Sequence, residues 1–169
     1  MSVFKLNTVK MRYILFIVIL LTSITETYGQ TVEKGGLPEI RAVLDNSEDK
    51  LFVVNFWATW CGPCVKEIPY FEKVAKEFNG DKVEFVLMSL DFPSELDKRL
   101  IPFIKKNNIS LRVILIEELE YDKWMSLVDP AWQGNLPSTL FFNNAKSTRR
   151  FVARPLDDTD LRNIINSMM

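Results

Sequence analysis

The chain has no histidine in its 169 residues and only two cysteines. Structural zinc ordinarily takes four Cys or His ligands, so this residue set cannot complete such a site, and copper sites that pair cysteines with a histidine are excluded on the same count. Cysteine nucleophiles activated by a histidine base are excluded as well. An excess of one charge is also missing: 21 basic residues stand against 22 acidic ones, mixed along the chain. Nothing forms the basic stripe that a nucleic-acid surface requires, so nucleic acid is not an expected partner. Repeats and low-complexity tracts are absent. A composition of 47% hydrophobic and 25% charged residues is that of one ordinary globular domain with its own core.

Long apolar runs are scarce, and the first lies near the N-terminus. Lys5, Lys10 and Arg12 precede "YILFIVILL", Tyr13 to Leu21. The run is well short of the roughly 20 residues that span a bilayer. It leads into "TSITETYGQ", where Thr27 and Gly29 supply the small residues that precede a cleavage point. Residues 1–30 therefore read as a signal peptide, with an uncleaved anchor as the alternative, and 31–169 as the domain. That places the domain in the periplasm or at the outer face of the cytoplasmic membrane. Such surroundings favour structural disulfides, yet Cys61 and Cys64 stand only three apart. A bridge closing so small a loop removes little chain entropy and makes a poor staple, so the pair is there for its chemistry.

The order of elements follows from hydrophobic patterning. "LPEIRAVLDNSEDK" reads as a short helix starting at Pro38 and then a polar turn, and "LFVVNFW" (51–57) as a strand buried on both faces. Val65, Ile68, Phe71, Val74, Ala75 and Phe78 fall at helical spacing, which predicts a helix from Gly62 to Phe78 stopped by Asn79-Gly80. "KVEFVLMSLD" is a second buried strand, closing a parallel strand-helix-strand unit. Leu96, Leu100, Phe103 and Ile104 mark another helix, "SLRVILIEE" a third strand and "LEYDKWMSL" a short helix. "STLFFN" and "TRRFVA" flank a polar "NAKS" turn as an antiparallel hairpin, and Leu161, Ile164, Ile165 and Met168 face one side of a final helix. The prediction is an α/β fold: a central mixed β-sheet with helices on both faces.

Position gives the cysteines their chemistry. Cys61 falls where a buried strand gives way to a helix, and the unpaired N–H groups and dipole of a helix N-terminus favour an anion there. Cys61 is the expected attacking nucleophile. Cys64, on the same helix face and one turn deeper, is the expected resolving thiol. Gly62 lets another backbone come close, and Pro63 is tolerated in a first helical turn.

"WCGPC" after "VVNFWAT" resembles the active site of thioredoxins, and more closely that of exported thioredoxin-like proteins of the ResA/TlpA type. Beyond the CxxC, the resemblance rests on Trp60, on Pro69 eight residues after Cys61, and on "NLPST", whose Pro137 matches the proline that the family holds in a cis peptide bond. It covers roughly residues 35 to 169. The resemblance implies a thioredoxin fold, with 93–130 as a helix-strand insertion before the cis-proline, and protein disulfide exchange without any cofactor. It also implies that the Leu136 backbone pairs with the substrate chain. The expected partners are cysteine-containing proteins and an upstream, membrane-bound thiol reductant, with the chain itself monomeric. Gly-Pro between the cysteines resembles low-potential reductants, since strongly oxidising relatives carry a histidine there; oxidase or isomerase activity and a non-catalytic binding module are the alternatives. A thiol peroxidase lacks its motif.

Two expectations concern neighbouring residues. Among the tryptophans, Trp57 should be core, Trp60 a surface contact for partner chains, and Trp124 and Trp132 core filling. Asn55 departs from thioredoxin, which has at this point a buried aspartate that takes and returns the resolving thiol's proton; an amide cannot. Two acids could replace it. Asp91, at the end of the second strand, is slightly preferred, and Glu67, three residues after Cys64 on the same helix, stands second.

Overall fold

The computed structural model describes residues 31–78 and 82–169. The expected leader at 1–30 and the Asn79-Gly80 helix stop lie outside the described residues. The strands are β1 (Glu33–Gly35), β2 (Leu51–Trp57), β3 (Val83–Ser89), β4 (Arg112–Ile116), β5 (Ser138–Asn143) and β6 (Thr148–Val152). They form one sheet in the order β1-β4-β3-β2-β5-β6. β1, β4, β3 and β2 run parallel, and β5 and β6 are antiparallel to their neighbours. The helices are α1 (Leu37–Leu44), α2 (Gly62–Glu77), α3 (Ile101–Lys106), α4 (Met125–Val128) and α5 (Asp158–Met168).

All seven residues of β2 are buried, which is why its sequence is apolar without alternation. Phe52, Val54 and Phe56 point into one cluster with Ile40, Val43 and Leu44 of α1 and with Trp124 and Trp132. Leu51 and Val53 point the other way, onto Phe71 and Val74 of α2 and Leu161, Ile164 and Ile165 of α5. Trp57 joins Cys61, Cys64, Ile68, Leu100 and Ile104 in a third cluster on the α2 and α3 side. Each large apolar side chain fully removed from water contributes about 1.5–3 kcal/mol, so this two-sided burial anchors the strand from which the site hangs. Trp124 and Trp132 fill core, as expected, stacking and tilting against Phe56 at centroid distances of 5.9 and 4.7 Å.

Three details differ from the sequence expectation. β1 was not foreseen, because "EKG" carries no strand pattern. It exists by pairing with β4, where Glu33 meets Arg112 at 2.8 Å and Lys34 meets Glu117 at 2.9 Å. The helix expected after Pro93 is divided: a 3-10 turn at Pro93–Glu95, a π turn at Leu96–Leu100, then α3. Pro102 has no N–H and crowds the carbonyl four residues back, so the turn before it widens and the Ile101 N–H donates to Leu96 O. The short helix expected at 119–127 is a 3-10 turn at Tyr121–Lys123 and then α4, parted by Trp124 at φ −129° as its ring turns into the core.

Candidate active site

Beyond β2 the chain turns through Ala58–Trp60, with the Cys61 N–H donating to Ala58 O at 3.1 Å. Cys61 is the N-cap of α2 in an extended conformation (φ −86°, ψ 100°). Its Sγ accepts the Cys64 N–H at 3.3 Å, and its carbonyl takes the Val65 N–H at 3.0 Å. One N–H of the helix N-terminus, that of Cys64, thus points at the Cys61 sulfur, where the helix dipole also favours a thiolate. Cys61 and Cys64 form a disulfide with Cα atoms 5.3 Å apart. Cys61 keeps 6% of its surface exposed and Cys64 none. Gly62 and Pro63 are exposed, and a Cβ added at Gly62 would meet no atom within 4 Å, so this face is open to another chain. Pro137 is buried, its bond to Leu136 is cis, and the half-buried Leu136 side chain packs on the cluster that holds both cysteines. Trp57 is fully buried and Trp60 is exposed.

One helical turn beyond Cys64, at Glu67, lies a buried polar group that the strand register assembles. Asn55 of β2 stands opposite Thr139 of β5, so their side chains share the sheet face that α2 covers. The Asn55 amide nitrogen donates to Thr139 Oγ1 at 3.1 Å and to Glu67 Oε1 at 2.8 Å. The other Glu67 oxygen accepts the Leu156 N–H at 2.8 Å. Asn55, Glu67 and Thr139 are all buried. Burial raises the Glu67 carboxyl to about 7 from an ordinary 4.5, against the opposing pull of the Leu156 N–H and the Asn55 amide. Among the described residues Asn55 Oδ1 has no hydrogen-bond partner. Thr139 and the Leu156 N–H were missed in the sequence; the only signal for Thr139 is its place two residues beyond Pro137, and for Leu156 there is none.

Asp91 is buried too, but its carboxylate is occupied by other groups. It accepts the Thr59 N–H at 3.0 and 3.2 Å, the Thr59 hydroxyl, and the Ser89 hydroxyl at 2.8 Å. The Asp91 N–H donates back to Ser89 Oγ at 3.1 Å. These bonds tie the end of β3 to the turn before Cys61. No bond links Asp91 to Asn55 or Glu67, so the structure brings Glu67 and Asn55 together and seats Asp91 in a separate network.

A parallel strand-helix-strand unit, a β5–β6 hairpin, a CxxC disulfide at a helix N-terminus and a cis-proline just before β5 define a thioredoxin-like fold with a dithiol/disulfide site. The chain belongs to the AhpC/TSA family, whose model matches residues 36–150. It is 48% identical to a thioredoxin of Malassezia sympodialis over 48 residues, 28% of this chain and 46% of the relative. It is 28% identical to the thiol-disulfide oxidoreductase ResA of Halalkalibacterium halodurans over 96 residues, 57% of this chain and 49% of the relative. The chain thus spans about half the length of the curated relatives it matches. Among solved structures, a thioredoxin-related protein from Neisseria meningitidis serogroup B superposes with a TM-score of 0.63 at 24% identity, over 73% of this chain and 88% of that one.

Proposed function

We propose that this chain is an extracytoplasmic thiol-disulfide oxidoreductase that reduces disulfides in other proteins through the Cys61–Cys64 couple. The observation that carries the reading is this disulfide at the start of α2 with a buried carboxyl, Glu67, one helical turn after Cys64, whose pKa burial raises to about 7. In the reduced state the Cys61 thiolate attacks one sulfur of a substrate disulfide. The Cys61–substrate bond forms as the substrate S–S bond breaks, and the other substrate sulfur leaves as a thiolate and takes a proton from water. Cys64 gives its thiol proton to Glu67 and attacks Cys61 Sγ. The Cys61–Cys64 bond forms, the mixed disulfide breaks, and the substrate departs with both sulfurs reduced. Two electrons have left the dithiol, and an upstream thiol reductant must return them. Trp60, Gly62, Pro63, Leu136 and Pro137 form the face on which the substrate chain lies.

Glu67 takes the place that the sequence slightly favoured for Asp91. A proton acceptor for Cys64 needs a free lone pair and a pKa near the working pH. Glu67 has the second property and lies one helical turn from Cys64, whereas the Asp91 carboxylate is committed to Thr59 and Ser89. Mixed-disulfide resolution near neutral pH should therefore slow more in Glu67→Gln than in Asp91→Asn, and the reverse order would return the role to Asp91.

Reducing direction is supported by Gly-Pro between the cysteines and by the absence of a histidine that would stabilise the thiolate. The test is the reduction potential of the couple, equilibrated against glutathione. A value near thioredoxin's, about −270 mV, supports a reductant; one near about −120 mV makes the protein an oxidase. Export is supported by the basic residues and short apolar run before residue 30. Protein from its native envelope should begin near Gln30 or Thr31, and a chain starting at Met1 or Met11 would be anchored.

A further inference from the structure

A cleft of about 550 Å³ opens next to the cysteines, lined by Trp60, Asp91, Phe92, Ser94, Glu95 and Arg99. Its size is within the ~300–1,000 Å³ range of clefts that hold ligands. Two of its walls are among the most exposed large apolar side chains of the described residues, Trp60 at 54% and Phe92 at 58%. Neither ring sits on a loose loop. The buried Asp91 carboxylate holds the N–H and hydroxyl of Thr59, the residue before Trp60, and Asp91 is itself the residue before Phe92. One side chain thus fixes both aromatic turns. The Phe92 carbonyl is bound in turn by the Glu95 N–H at 2.8 Å.

Of the three charged residues at this cleft, Glu95 and Arg99 pair with each other and Asp91 is buried. Arg99 Nε meets Glu95 Oε2 at 3.0 Å, and the Asp91 oxygens are spent on Thr59 and Ser89. What the cleft offers a visitor is two exposed aromatic faces with a closed ion pair at the rim, which fits an apolar side chain. Trp60 also precedes Cys61 directly, so the cleft continues the face that carries the reacting sulfur.

We propose that this cleft binds a large apolar side chain flanking the reacting cysteine of the substrate protein, and that Asp91 is the positioning residue that sets Trp60 and Phe92 to receive it. The proposal rests on the disulfide-exchange reading and names the sequence context that reading would prefer. The test compares synthetic peptides that carry one disulfide and differ only in a Trp, a Gly or a Lys close to the attacked cysteine. With reduced protein, kcat/KM for the Trp peptide should exceed that for the Gly peptide by about tenfold, about 1.4 kcal/mol. Phe92→Ser should collapse that ratio toward one. Asp91→Asn should lower it by raising KM for the Trp peptide with little change in kcat, a split that general loss of structure would not give. Equal kcat/KM for the Trp and Gly peptides in the wild-type protein, or a preference for Lys, would overturn the proposal and leave disulfide exchange standing. Failure to reduce any peptide would take down both. A concentration-dependent dimer that Phe92→Ser dissolves would assign the cleft to a second copy of the chain instead.

Discussion

Glu67→Gln should stabilise the oxidised protein at alkaline pH while slowing its chemistry near neutrality, and the size of the first effect follows from the burial of this carboxyl. In the fold Glu67 titrates near 7, against 4.5 in its ordinary state, because burial disfavours the carboxylate more than the Leu156 N–H and the Asn55 amide favour it. The native state therefore holds a proton that the unfolded chain has released. Ionisation costs stability from about pH 4.5 upward, at about 1.4 kcal/mol per pH unit, and reaches its full value of about 3 kcal/mol above pH 7. Glutamine cannot ionise. Below pH 4.5 the two proteins should differ little, and by pH 8 the variant should be more stable by up to about 3 kcal/mol. The amide has partners available: its oxygen can take the Leu156 N–H, and Asn55 can rotate to present Oδ1, which has no partner among the described residues, to its NH₂. Urea unfolding of both oxidised proteins at pH 4, 5, 6, 7 and 8 measures this, because other titrating groups are shared and cancel. A stability difference constant with pH, within the ~10–15% uncertainty of such extrapolations, would refute the reasoning.

Cys61→Ser should abolish exchange, whereas Cys64→Ser should leave a nucleophile that accumulates mixed disulfides, seen as mass shifts that a reductant reverses; trapping by Cys64 alone would invert the two roles. Asn55→Leu removes the donor on Glu67 Oε1, so the carboxyl should titrate still higher, and the pH at which mixed-disulfide resolution reaches half its maximum should move up. An unmoved profile would mean that Asn55 does not tune the acid. Phe56→Ala should cost about 3–5 kcal/mol in chemical denaturation, because its ring packs against both Trp124 and Trp132, which already touch each other and leave rigid indoles to close the space.

The sequence made the scaffold of the site legible and left its proton chemistry ambiguous, for a physical reason. "LFVVNFW" and the spacing of Val65, Ile68, Phe71 and Val74 report burial directly, and burial is what fixes β2 and α2. The choice between Glu67 and Asp91 is different. It turns on a backbone N–H at Leu156, 89 residues from Glu67, and on two hydroxyls, Thr59 and Ser89, that saturate Asp91. No local pattern encodes which donors meet which carboxylate. β1 failed for a related cause: its stability is borrowed from β4 through pairing and two ion pairs, while its own three residues have no strand preference. The π turn was readable in principle from Pro102, but an amphipathic spacing that survives the irregularity concealed it.

The outermost strands bear on how the molecule behaves in a crowd. With a formal net charge of −1, the full chain has little overall repulsion to keep copies apart. Sheet borders are where chains stick, since an outer strand offers a row of backbone groups to any passing strand. β6 holds one border and carries Arg149 and Arg150 side by side, with Arg149 hooked over the carbonyls of Leu127 and Val128 at 2.6 and 2.7 Å. Two molecules meeting border to border along β6 would force guanidinium groups from both together. The opposite border, β1, is only three residues long and presents Lys34. Charge at the rims of the sheet thus opposes border-to-border pairing, and substituting Arg149 and Arg150 by valine should raise the tendency to aggregate, read by light scattering, without touching the disulfide.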